Sequence, residues 1–133
     1  MLIRKKTLII RLRRPPRHRL NEELQWFGRS LGLFGERDKD KTCFRIFIEL
    51  LKAARHQKPL SSDELAEKLN LSRGTIVHHI NSLIEKGIIV PEKRRYALRA
   101  GSLKELIESI QSDFEATLKQ LKTIAEELDE ELW

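Results

Sequence analysis

The stretch SSDELAEKLNLSRGTIVHHINSLIEKG, residues 61 to 87, constrains the fold more than any other part of the chain. Ser61 and Glu64 have the S-x-x-E spacing of a capping box, in which a serine side chain satisfies a free N–H in the first turn of a helix. Leu65, Ala66 and Leu69 follow at helical spacing, Asn70 and Leu71 break the run, Ser72 can cap a second helix, and Gly87 can end it. Two short helices joined by a tight turn make a helix-turn-helix. At 100° per residue, Ile76, Ile80, Leu83, Ile84 and Gly87 share one face of the second helix, and Gly74, His78, Asn81 and Glu85 lie opposite. The first set is expected to pack and the second to face outward.

The flanks complete a domain. Cys43, Phe44, Ile46, Phe47, Ile48, Leu50, Leu51, Ala53 and Ala54 make a helix that is apolar nearly all round, opened by Asp38 or Asp40, and such a helix belongs at the centre of a fold. Before it, Asn21 is expected to cap an amphipathic helix with Leu20, Leu24, Phe27, Leu31 and Phe34 on one stripe. That helix ends near GLFG, which has the spacing of a KH-type GXXG loop. Its apolar middle residues, however, read as a helix terminus. After Gly87, IIVPEKRRYALR presents two short β-rich runs around a charged turn, the pattern of a hairpin. The expected fold is mainly α with a small β-hairpin wing, a winged helix-turn-helix domain over residues 21–100.

From Gly101 onward there is no proline and no further glycine. Ile107, Phe114, Leu121 and Leu128 recur at one heptad position and Leu103, Ile110 and Ile124 at another, with Thr117 interrupting the second set and Leu118 beside it. A helix of roughly thirty residues is about 45 Å long, too long for a domain this small to cover its stripe. Residues 101–133 are therefore expected to form a coiled-coil-like dimerisation helix against a second copy, assisted by the helix of residues 21–34.

Charge is distributed unevenly. Residues 1–20 carry eight Lys/Arg and no acid, residues 21–100 carry fifteen against eleven, and residues 101–133 carry three against nine. The first segment, with arginines around Pro15 and Pro16 and a possible short strand at TLII, reads as a basic N-terminal arm. A net charge of +6 favours a polyanion partner such as nucleic acid. Cys43 is the only cysteine, which excludes an intrachain disulfide and fits a reducing compartment. No apolar run approaches the roughly 20 residues that span a bilayer, so a cytoplasmic, nucleoid-associated protein is expected. Few Asn and Gln stand beside abundant Lys, Arg and Glu, as in thermophile-like proteins. No phosphate-binding, dinucleotide-binding, H-E-x-x-H or G-x-S-x-G motif is present, and the acid clusters of EELDEEL have the repeat of a solvated helix face, so no enzyme is expected.

The chemistry then rests on the second helix of the motif. Arg73 and Thr75 occupy the first turn, where a helix entering a major groove places base and phosphate contacts. Arg can bond guanine through two donors and Asn can pair with adenine, which makes Arg73 and Asn81 the candidate base readers. His78 and His79 point about 100° apart and have no second ligand four residues away, so a metal site is not expected. His78 reads as an outward donor and His79 as a packed side chain.

SSDELAEKLNLSRGTIVHHINSLIEKGIIVPEKRRYALR resembles the helix-turn-helix and wing of archaeal and bacterial winged-helix transcription regulators of the ArsR type. The resemblance implies a homodimer on double-stranded DNA, with residues 72–87 in the major groove. By position it assigns Arg73, Thr75, Val77, His78 and Asn81 to DNA, and Lys93, Arg94 and Arg95 on the wing to backbone or minor groove. The paired cysteines of metal-sensing members are missing from SSDELAEKL, and the last helix has no histidine, so no metal cofactor is expected, and the sequence leaves open whether a small-molecule effector exists. The alternative is a winged-helix protein-interaction or chromatin module without sequence-specific reading of DNA.

Overall fold

A computed structural model describes residues 19–33 and 41–133. In chain order the elements are α1 (Leu20–Ser30), α2 (Thr42–Ala54), β1 (Leu60–Ser61), α3 (Ser62–Leu69), α4 (Arg73–Glu85), β2 (Ile89–Glu92), β3 (Arg95–Leu98) and α5 (Leu103–Leu132). The basic arm up to residue 18, Phe34 and the expected caps Asp38 and Asp40 lie outside the described residues.

Local chemistry sets the boundaries of the helix-turn-helix. Ser61 caps α3 by accepting the Glu64 N–H at 3.1 Å, and Ser72 caps α4 by accepting the Thr75 N–H at 3.1 Å. The α3 helix stops at Asn70, which takes the left-handed conformation at φ 55° while the Leu71 N–H returns to the Ala66 carbonyl. Gly87 does the same for α4 at φ 76°, with the Ile88 N–H bonded to the Leu83 carbonyl. Gly32 closes α1 in the same way at φ 66°, so the first glycine of GLFG is a helix terminus.

β2 and β3 form the expected hairpin, pairing Ile89 with Leu98 and Glu92 with Arg95. A third strand joins them: Leu60 and Ser61 pair antiparallel with Tyr96 and Arg95, giving the order β1-β3-β2. Two residues are too few to carry a period-2 signal, so β1 is not visible in the sequence. Phe47, Ile46 and Leu50 of α2 sit at the centre of one core with Leu65 of α3, Ile76, Ile80 and Leu83 of α4, Ile88 and Ile89 at the start of the wing, and Leu106 of α5. The fold is a winged helix-turn-helix with a long C-terminal helix. No helix among the described residues is long and apolar enough to cross a membrane.

Three expectations are corrected. Asn21 does not cap α1; the helix starts two residues earlier than that cap implies, with Arg19 at the cap and bonded to Glu22 at 3.2 Å. The acids Glu22 and Glu23 then lie in the first turn, where the positive end of the helix dipole favours them. α1 also ends at Ser30, and Leu31 and Leu33 beyond it are buried in the core. Finally, Ile110 is buried and Leu103 packs on the core beside Leu106, so these two seam candidates are taken up by their own domain. The reason is helical periodicity: residues 103, 106 and 110 share one side of α5, and that side closes the core. Ile107, Phe114, Leu121, Ile124 and Leu128 remain exposed.

Candidate nucleic-acid interface

The interface begins with the division of α4 into two faces. Ile76, Ile80 and Leu83 have no measurable exposure, whereas Gly74, His78, Asn81 and Glu85 are exposed, as the helical projection predicts, and Arg73 is exposed at the start of the helix. Thr75 and Val77 are half-buried on the flanks. α3 packs against α4 on its inner side and leaves the outer side open. A rigid helix with a buried back and a polar front can enter a groove without rearrangement.

Arg73 stands at the first position of α4, 3.6 Å from the Asp63 carboxylate of α3, with both side chains about three-quarters exposed. An ion pair this open is worth at most about 1 kcal/mol, so phosphate or a guanine edge can displace Asp63. The Ser72 and Thr75 hydroxyls lie 2.8 Å apart across the cap, which holds the first turn and leaves further acceptor capacity. A Cβ added at Gly74 would meet no atom within 4 Å. Packing inside the protein therefore gives no reason for glycine here. His78 and His79 meet edge to face, ring centroids 5.3 Å apart at 69°, with His78 exposed and His79 half-buried.

The wing tip is the second surface. Between the paired residues Glu92 and Arg95 the turn consists of Lys93 and Arg94 alone, and both have positive φ, 46° and 68°. A two-residue hairpin turn of this hand is favoured by Asn-Gly. Here it is built from two long cations, at a cost of roughly 1 to 2 kcal/mol per residue. The result is two exposed positive side chains at the end of a stiff ribbon.

Arg95 is placed differently from its expected DNA contact. Its guanidinium turns back to the Glu64 carboxylate at 2.5 Å and the Pro59 carbonyl at 3.2 Å, bracing the wing against α3. Two further arginines have roles that the sequence conceals. Arg45 of α2 donates to the Leu69 carbonyl at 2.9 Å and so holds the end of α3. Arg99, with its side chain only 11% exposed, donates to the Gly87 carbonyl at 3.3 Å, the Ser109 carbonyl at 3.3 Å and the Asp113 carboxylate at 2.8 Å. It ties the end of α4 to α5. Most of these partners are main-chain carbonyls brought near by folding, and they leave no pattern in the sequence.

Arg73, His78 and Asn81 of α4 are therefore exposed, Thr75 and Val77 are half-buried, and Lys93 and Arg94 form the exposed wing tip. No curated protein and no solved structure matches the chain. Residues 47–97, from the middle of α2 to β3, are similar to the family described as HTH domain, which agrees with the winged helix-turn-helix fold and supports DNA as a partner.

Proposed function

We propose that the chain is a sequence-specific, double-stranded DNA-binding transcription regulator that acts as a homodimer. The observation that carries this reading is the exposure of Arg73, His78 and Asn81 on a helix whose Ile76, Ile80 and Leu83 are fully buried. α4 lies in the major groove, Arg73 and Asn81 read base edges, His78 and Thr75 add donors, and Val77 offers a small apolar contact to thymine methyl groups. Lys93 and Arg94 neutralise phosphates beside the groove and supply affinity without discrimination. The projecting apolar stripe of α5 joins two copies, and occupancy of paired half-sites blocks or recruits transcription machinery.

Selection of bound sequences from random duplex DNA by the full chain tests the reading. Enrichment of a site with two related halves is the expected result. Retention without enrichment would refute sequence reading and return the domain to a protein-interaction or chromatin role.

A further inference from the structure

α5 leaves its domain after Asp113, and beyond that point every residue is exposed. Phe114, Leu118, Leu121, Ala125, Leu128 and Leu132 follow one another at steps of four and three, continuing from Ile107 and Gln111. Leu103 and Ile110, which fall at a neighbouring heptad position, are turned into the core and cannot join this seam. Resting on the dimer proposed above, we infer that the second copy lies antiparallel, with Phe114 against Ala125 of the partner subunit and Glu115 facing Lys122 of the partner subunit.

Sterics give the first reason. Reversing one helix turns a three-four spacing into a four-three spacing, so each layer pairs two different residues. In the register that centres Leu118 on Leu121 of the partner subunit, Phe114 meets Ala125 of the partner subunit and Ile107 meets Leu132 of the partner subunit. Large is set against small, as close packing requires. A parallel pair would instead stack Phe114 on its own copy, leave a void between two copies of Ala125 and bury two copies of Gln111 in one layer. Gln111 is engaged with Glu115 at 3.1 Å, and the antiparallel register places each glutamine in a separate layer, the second from each end, against Leu128 of the partner subunit.

Charge gives the second. Glu126, Glu127, Asp129, Glu130 and Glu131 crowd the last two turns, and no Lys or Arg follows Lys122. Parallel helices, with axes 8–10 Å apart, would gather two such clusters within about one Debye length. The antiparallel register separates them by about 27 Å along the axis, from a rise of 1.5 Å per residue. Each acidic end then lies beside Glu108 and Asp113 of the partner subunit, and these carboxylates are already matched within each chain: Lys104 approaches Glu108 at 4.0 Å, and Arg99 holds Asp113 at 2.8 Å. Glu115 and Lys122 flank the seam as two symmetric opposite-charge pairs.

The dimer becomes a rod with a winged domain at each end. The two copies of Leu103 stand about 50 Å apart along the axis, from the same rise per residue.

Three measurements on the full chain test this. Light scattering should give the mass of two chains, and a nitroxide pair on Glu130→Cys in a Cys43→Ala background should show a separation of roughly 30 to 40 Å, from the helical rise and the interaxial distance. The label-free measurement is a charge-reversal cycle: Glu115→Lys and Lys122→Glu should each weaken dimerisation about fivefold, and the double variant should recover most of it. A dimeric mass with a nitroxide separation below about 25 Å, or a double variant weaker than either single, overturns the antiparallel arrangement while leaving the dimer in place. A monomeric wild-type chain overturns both.

Discussion

Gly74 shows how a single residue can weigh stability against binding. It lies exposed in the first turn of α4, and a Cβ there would touch nothing. Gly74→Ala should therefore stabilise the fold by up to about 1 kcal/mol through helix propensity. If the helix backbone approaches DNA closely at this point, the same change should weaken binding. Denaturant titration and duplex titration on one preparation would show the opposite signs, and unchanged affinity would make Gly74 an ordinary surface glycine. Arg73→Ala and Asn81→Ala should each remove about 1 to 3 kcal/mol of preference for a selected site. Arg94→Ala should weaken all duplexes alike and reduce the salt slope by about one unit. If all three substitutions act equally on selected and random DNA, α4 does not read sequence.

Among the elements, the join between α4 and α5 is the most consequential. Arg99 follows the wing and donates at once to the end of α4 and to the second and third turns of α5. Arg99→Met keeps much of the apolar stem while leaving the Gly87 carbonyl and the Asp113 carboxylate without this partner. Hydrogen bonds to charged groups contribute about 1.5 to 3 kcal/mol net, so a loss of about 2 kcal/mol of unfolding free energy is expected. Amide exchange should rise first at Gly87 and Ile88, where the helix end loses its tether. A uniform rise across the domain would mean that Arg99 contributes only to global stability. The wing tip departs from hairpin preference for a comparable local reason: Lys93 and Arg94 adopt positive φ without glycine or asparagine.

At the scale of the whole molecule, in the proposed dimer the exposed part of α5 would set how far apart the two winged domains stand. Leu121 lies at the centre of the projecting stripe and is more than half exposed in the single chain. Leu121→Asp would bury a carboxylate against an apolar partner at a cost of several kcal/mol, and the scattering mass should fall toward one chain. The antiparallel rod, about 50 Å between the two α5 starts, is longer than the 34–36 Å between half-sites one helical turn apart. Binding to paired half-sites should therefore be strongest at a spacing above one turn, or should bring two duplexes together. A spacing series in gel-shift titrations checks this, and an optimum at one turn would contradict the rod.

Where a signal is local, the sequence determined the structure by itself. Ser61, Ser72, Asn70 and Gly87 govern helix ends through bonds to their own neighbours, and the two faces of α4 follow from a period of 3.6 residues. The hairpin wing and the long last helix were legible for the same reason. Tertiary structure alone decided the rest, because it depends on contacts between residues far apart in the chain. β1 exists only because β3 offers it an edge at Tyr96 and Arg95. Arg95 and Arg99 look like free surface cations until folding brings Glu64, Gly87 and Asp113 to them. Leu103 and Ile110 fit a heptad as well as Ile107 and Phe114 do, and only the position of the core determines which pair packs against it and which is left exposed. Periodicity tells which residues share a side of a helix, but not what that side will meet.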